Sequence, residues 1–451
     1  MSFARALAAL AAADSGRNAG VLPAAHAHAL DTLACIVGAH ADPLYRARAA
    51  AIAECGADDA SRGFALALEA RPAAAAQWLA LAAHWLQFDD GDMASGCHPG
   101  CCIVPAALAV ACASARTWTE FLDAVVRGYA VTIALGKALN ASAGPRVFHR
   151  TSVAGVFGAA AATACLERLG DADHAASALG LAASFACGVL PSYREPIDAE
   201  ALHPALAARG GVAAARLVAA GTLGRADALD GPNGLLAAMG ATPDPNASGA
   251  ARPDAILSSY FKPHACVRHA HGPIEIVQGH ARGLSWKDIE AVEVDVALPA
   301  LDFSGTVPQT ARGAALSMEY AVAAAARWPD APLGPGAFSA EARREIIGSG
   351  LMGRVSVRHQ PRFDGQGPGR RPTRVRLATR TSRYEGRLDD ALGDPARPLA
   401  ERDLALKAKT LVGAALAADD GERFIEAMAR AERPRRIASV LESALGNGIP
   451  T

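Results

Sequence analysis

Aromatic residues make up only 5% of this 451-residue chain, and neither charge dominates, with 44 Lys and Arg against 45 Asp and Glu for a formal charge of −1. So even a balance speaks against nucleic acid as a partner, because proteins that hold polyanions carry a basic face. Long apolar runs are missing too. Stretches such as VPAALAVACASA (104–115) fall short of the roughly 20 residues of a membrane span. Paired C-x-x-C motifs do not occur. The nine cysteines are an odd number, and Cys35, Cys112, Cys165 and Cys187 sit inside apolar helical patterns. That usage suits buried thiols in a reducing compartment rather than a disulfide framework. The opening MSFARALAALAAADSG carries one Arg and a short Ala/Leu stretch and reads as an amphipathic first helix rather than a secretory leader. The expectation is a globular, cytoplasmic protein with no nucleic-acid or membrane partner.

What the chain has instead is alanine. Hydrophobic residues reach 51% against 20% charged, and their small size favours close-packed helices. Up to about residue 262 the apolar spacing is helical, in HALDTLACIVGAH (28–40), AAAAQWLALAAHWLQF (73–88), TEFLDAVVRGYAVTIALGKAL (119–139) and SVAGVFGAAAATACLERLG (152–170). Gly155 and Gly158 among the alanines allow backbones to approach closely. After residue 285 the period shortens to two in AVEVDVAL (291–298), GRVSVRH (353–359) and TRVRLATRTSRYEGRL (373–388), the pattern of half-buried strands. Helical stretches lie between them at 311–328 and 339–348, and PRFDGQGPGRRP (361–372) reads as a long hairpin loop. From about residue 399 helices return. The chain is therefore expected to be mainly α: a large all-helical domain formed by both chain ends (1–265 and 399–451), with a smaller α+β domain (266–398) inserted.

The stretch QFDDGDMASGCHPGCC (87–102) gathers carboxylates, a histidine and thiols between two apolar helices, the second expected to start near Pro105. Such a place is a favoured ligand site in a bundle. A zinc reading would use Cys97, His98, Cys101 and Cys102, with Asp92, but the second half of a structural zinc motif is missing. Two other segments carry matching chemistry. RVFHRT (146–151) places Arg146 and His149 before a small-residue helix. YFKPHACVRHAHGPIEI (260–276) collects Lys262, His264, Arg268, His269 and His271 at the seam with the insertion. Arg and Lys there can hold carboxylates, and histidines can trade protons near neutral pH.

In order and separation, LDTLACIVGA (30–39), FDD (88–90) with HP (98–99) and VPAALAVA (104–111), FHRTSVAGVFGAAAA (148–162), LHPALAARGGVAAARLVAAG (202–221) and FKPHACVRHAH (261–271) resemble the MmgE/PrpD family. The family includes 2-methylcitrate dehydratase, cis-aconitate decarboxylase and iminodisuccinate epimerase. The resemblance implies a homodimer, an α+β lid over the helical domain, an active site between them, and proton chemistry beside a carboxylate without metal or cofactor. It places His98 and His149 on the family's active-site histidines, with Asp89 and Asp90 on the last two acids of its DFDD motif. Lys262, Arg268 and His271 fall on its basic positions. On this reading His98 and His149 transfer the proton, Asp89 or Asp90 orients one imidazole, and Lys262 and Arg268 clamp the substrate, with Arg146 and His271 as further binding candidates. The substrate is a di- or tricarboxylic acid and the favoured reaction a dehydratase-type β-elimination. An epimerase, a decarboxylase and a non-catalytic polycarboxylate binder are the alternatives. The chain departs from the family at Gln87 (an acid there), Gly91 (threonine in the decarboxylase), Glu200 (often lysine) and Val267 (histidine in the decarboxylase), and Asp302 falls near a lid tyrosine. Glu200 reverses a charge and is expected to disfavour a carboxylate beside it.

Overall fold

The computed structural model describes residues 2–13, 20–54, 71–141, 147–169, 171–190, 199–241, 252–367 and 369–446. Among the described residues the protein is mainly α with one four-stranded sheet. Its N-terminal helices are α1 (Phe3–Ala12), α2 (Val21–Ala39), α3 (Pro43–Glu54), α4 (Pro72–Trp85), α5 (Pro99–Ala113), α6 (Trp118–Ala141), α7 (Arg150–Leu166), α8 (Ala172–Ala182) and α9 (Ala199–Ala219). Every residue of α5 except Ala113 is buried, and α7 is buried from Thr151 to Ala164, so both are apolar all round and sit at the centre. Small residues make that possible. A Cβ on Gly158 of α7 would collide with Thr132 and the Gly128 carbonyl of α6, and one on Gly155 would collide with Cys102 of α5.

Helix α5 begins at Pro99, six residues before the expected Pro105, which lies inside it. Pro99 fills the first helical position equally well, and Cys101–Val104 are apolar residues that gain burial by joining the helix.

Four strands follow: β1 (Ile289–Val296), β2 (Val355–His359), β3 (Thr373–Thr379) and β4 (Arg383–Leu388), in the order β2-β1-β3-β4. β1 pairs parallel with β2 and antiparallel with β3, with Val294 opposite Val357 on one side and Val375 on the other. The expected hairpin between β2 and β3 is therefore wrong. Residues 360–372 carry the chain past β1, the strand rich enough in valine to be buried at the centre. The stretch 373–388 is itself the hairpin, turning at Arg380–Ser382. Helices α10 (His271–Ala281) and α11 (Met318–Arg327) pack on the sheet, and α12 (Ala340–Gly348) packs on α11. The helical stretch 311–328 is broken because Ser317 caps α11, its Oγ accepting the Tyr320 N–H.

The last helices are α13 (Glu401–Ala415), α14 (Ala418–Ala429) and α15 (Pro434–Gly446). α13 packs along α2, and α15 reaches α5. Lys407 of α13 pins this end to the N-terminal helices. Its Nζ lies 2.7 Å from Asp31, donates to the Phe88 carbonyl at 2.6 Å and stands over the Phe88 ring. Among the described residues α2 alone is long and apolar enough to cross a membrane, contrary to the sequence expectation, but 67% of that stretch is buried inside the fold. Its Asp31 is the partner of Lys407, so the helix is a core element.

Candidate active site

Helix α4 ends at Trp85, and Gln87 beyond it has φ +54°, the left-handed backbone that terminates a helix. That conformation costs a non-glycine residue roughly 1–2 kcal/mol. Gln87 is held there from both ends. Its carbonyl accepts the Lys262 Nζ at 2.8 Å, and its side-chain Nε2 lies 3.4 Å from His84 Nε2.

The two aspartates that follow face different partners. Asp89 Oδ2 lies 2.9 Å from His84 Nδ1 and 3.5 Å from His98 Nδ1. Asp90 Oδ2 accepts the Tyr129 hydroxyl at 2.5 Å and lies 2.6 Å from His28 Nδ1, while its Oδ1 accepts the Gly100 N–H at the start of α5. Neither carboxylate lines the cavity described below. Asp89 lies directly behind His98, and Asp90 acts on His98 through its backbone carbonyl, 2.6 Å from Nδ1. A carbonyl only accepts, so Nδ1 carries the proton and His98 Nε2 is left as the basic nitrogen. The His98 N–H donates to Thr151 Oγ1 at 3.1 Å, which ties the HP segment to the FHRT segment.

His149 caps α7 and is anchored by its N–H to the Gly188 carbonyl at 2.8 Å, whereas its buried Nδ1 has no hydrogen-bond partner. Between it and His98 lies His84, with ring centroids 5.2 Å from His98 and 5.8 Å from His149. His203 continues the row, 5.5 Å beyond His149. His98 and His149 both line a cavity of about 310 Å³, together with Lys262 and Arg268. Four of the eight expected residues thus meet in one place. His271 lies behind, accepting from Arg268 Nη1 at Nδ1 (3.1 Å), so it positions Arg268 and does not face a ligand. Arg146 lies outside the described residues.

The electrostatics keep His98 and His149 neutral. Burial pushes His98 down to about 4 against the opposing pull of Asp89, and His149 down to about 3 against Glu200. Asp89 is deeply buried, which by itself would raise its pKa, yet His84, His98 and Lys262 hold it well below the carboxylate range. Lys262 is lowered by burial and supported by Asp89. Arg268 is fixed by Asp394 at 2.8 Å and by the carbonyls of Ala391 and Leu392, and it stacks over Tyr260.

Several residues that the sequence reading passed over complete the site. His84 is hidden in an apolar helix, and Arg312 opens a short helix far along the chain. Arg150 directly follows His149 in the FHRT segment. Arg371 comes from the loop between β2 and β3 and lines the cavity with Arg150 and Tyr260. Gly91 has a physical reason here. It pairs with the Tyr260 backbone, and the Tyr260 ring fills the volume a side chain at 91 would take. The charge reversal at Glu200 is compensated, because Arg312 Nη1 bonds its Oε2 at 2.9 Å and holds a carboxyl that burial would raise down to about 2. Val267 and Asp302 both line the cavity.

Two donor sets, His84/Asp89/His98 and His84/His149/Glu200, bring ligand-type atoms within 4.8 Å of one another. Glu200 is already paired with Arg312, and Asp89 lies in the field of Lys262; both cations would repel a metal ion. The zinc set built on Cys97, Cys101 and Cys102 is not assembled among the described residues. Cys101 donates to the His98 carbonyl and Cys102 to that of Thr151.

A neutral imidazole pair and buried cations thus line one shared cavity. Residues 2–248 match the MmgE/PrpD N-terminal domain and residues 264–433 the MmgE/PrpD C-terminal domain. The chain belongs to the MmgE/PrpD family, a family of dehydratase-type enzymes. No curated protein matches it.

Proposed function

We propose that this protein is a hydro-lyase that abstracts a proton beside a carboxylate of a small di- or tricarboxylic acid and expels a β-hydroxyl as water, without a cofactor. The observation that carries the reading is His98: its Nδ1 is committed to the Asp90 carbonyl, which leaves a neutral basic Nε2 in a cavity that Lys262 and Arg268 also line. His98 takes the proton, and the C–H electron pair becomes the new C=C bond. Lys262 and Arg268 hold the carboxylate and the enediolate-like charge that builds on it. His149 gives a proton to the departing hydroxyl, and the C–O bond breaks. A bound polyanion raises the proton affinity of His149, which prepares it as the acid.

Residues 266–398 act in this reading as a lid. The support is that the cavity is lined both by His98 and His149 of the helical part and by Arg268, Asp302 and Arg371 of the insertion. Closure would exclude water and complete the cationic side. The protein is expected to work as a cytoplasmic homodimer, a state that light scattering after gel filtration measures.

The test is incubation with a panel of di- and tricarboxylates in heavy water, followed by proton NMR. New alkene signals that His98→Asn abolishes are expected. Deuterium entry without change of composition would make the enzyme an epimerase, and loss of a carboxylate carbon a decarboxylase. Silence with thermal stabilisation by the acids would leave a binding protein.

A further inference from the structure

The cavity is less cationic than a polycarboxylate site needs. Among the described residues, Lys262, Arg268, Arg150 and Arg371 line it, set against Asp92, Glu200 and Asp302; with the ion-pair partners just behind the wall, Arg312 on Glu200 and Asp394 on Arg268, one net positive charge is left. A dicarboxylate brings two negative charges and a tricarboxylate three. An ammonium group on the ligand would reduce a dicarboxylate to one, the charge the wall can match.

The wall also shows where such a group would go. Glu200 is almost fully buried yet lines the cavity. Arg312 engages Oε2, and among the described residues no hydrogen bond reaches Oε1. A buried ionised carboxylate with one open oxygen is costly unless a donor meets it. His84 and His149 bring ring nitrogens within 4.8 Å of the carboxylate but make no hydrogen bond to it. Arg312 is spent on Oε2 and on the carbonyls of His84 and Trp85. The donor that reaches Oε1 is then a ligand or solvent, and a ligand N–H that carries charge makes the stronger bond.

We propose that the ligand is a β-hydroxy amino dicarboxylate, with its carboxylates on the Lys262 and Arg268 side and its ammonium N–H on Glu200 Oε1; L- and D-aspartate share its charged groups and lack only the leaving hydroxyl. This rests on the proton-abstraction reading above and narrows its substrate class. Glu200 is then the residue that separates diacids that carry an amino group from those that lack one. The ammonium also acidifies the neighbouring C–H, which helps the base His98.

The experiment is calorimetric titration of the full-length protein with L-aspartate, D-aspartate, succinate, L-malate and citrate. At least one aspartate enantiomer is expected to bind roughly tenfold or more tightly than succinate and malate, the scale of a charge-assisted hydrogen bond. Glu200→Gln is expected to erase that preference while succinate still binds. Because Glu200→Gln strands Arg312, the paired change Glu200→Gln with Arg312→Met serves as the second variant and should erase it too. Malate, succinate or citrate binding as tightly as both aspartates overturns the inference and leaves the proton-abstraction reading standing. A preference for aspartate that survives in both variants also overturns it, since the ammonium then sits elsewhere. Failure of every acid to bind overturns both readings together.

Discussion

Acid should unfold this protein at a pH where its carboxylates are still ionised. His98 is depressed to about 4, and His149 and His264 to about 3, in each case by burial. An imidazole in the unfolded chain titrates near 6.5. The folded-state values are lower, so the unfolded state binds protons first. The stability these groups contribute is full above about pH 6.5 and is lost as pH falls towards 3 to 4. At pH 5.0 all three remain neutral in the fold, about 1.5 pH units below their unfolded value. Each then costs about 2 kcal/mol and the three together about 6 kcal/mol. Typical domain stabilities are only about 5–15 kcal/mol. His271, pushed well below its usual value by burial and by Arg268, adds in the same direction, and Asp31, raised by burial, works against it. Urea titrations followed by circular dichroism at pH 7.5, 6.5, 5.5 and 5.0 should show the midpoint falling steeply below 6.5. His264→Gln should be less stable at pH 7.5, where the Leu333 N–H loses its imidazole acceptor, but should show a flatter pH dependence. A midpoint that stays level down to pH 5.0 and falls only below pH 4 would refute the neutral, buried imidazoles on which the site chemistry depends.

Removing either proton-transfer group, by His98→Asn or His149→Gln, should lower kcat on the true substrate by about 10²–10⁴-fold; unchanged turnover in both would end the assignment. Asp89→Asn replaces the charged acceptor that lies 2.9 Å from His84 Nδ1 and removes an anion whose field supports buried Lys262; it is expected to cost about 1–3 kcal/mol of stability, read as a fall in urea midpoint at pH 7.5. Gly91→Ala would push a methyl group into the Tyr260 ring, for about 1–3 kcal/mol of overpacking, and should raise KM more than it lowers kcat because Tyr260 lines the cavity.

How much could be read in advance depended on the range of the interaction concerned. The helices of both ends were legible because apolar spacing and small residues act within a few turns. Gly155 and Gly158 announced the close packing of α7 before its neighbours were known. The three polar segments that carry His98, His149 and Lys262 were legible too, since proline, glycine and clustered charge interrupt an alanine-rich background. Sheet order was not. Alternation marks a strand but says nothing about its neighbour, so β2 and β3 looked like a hairpin although β1 lies between them.

The amino-acid sequence by itself determined the kinds of element, the family and which titratable groups were present. Only the tertiary structure decided what each group does, because side-chain orientation, burial and partners are set by contacts between residues far apart in the chain. Asp89 faces His84 and His98 while its neighbour Asp90 faces Tyr129. His271 supports Arg268 rather than a ligand, and Arg312 arrives from 112 residues away to neutralise Glu200. Spacing in the sequence carries no record of such meetings, whose energies arise from distance and desolvation in the fold.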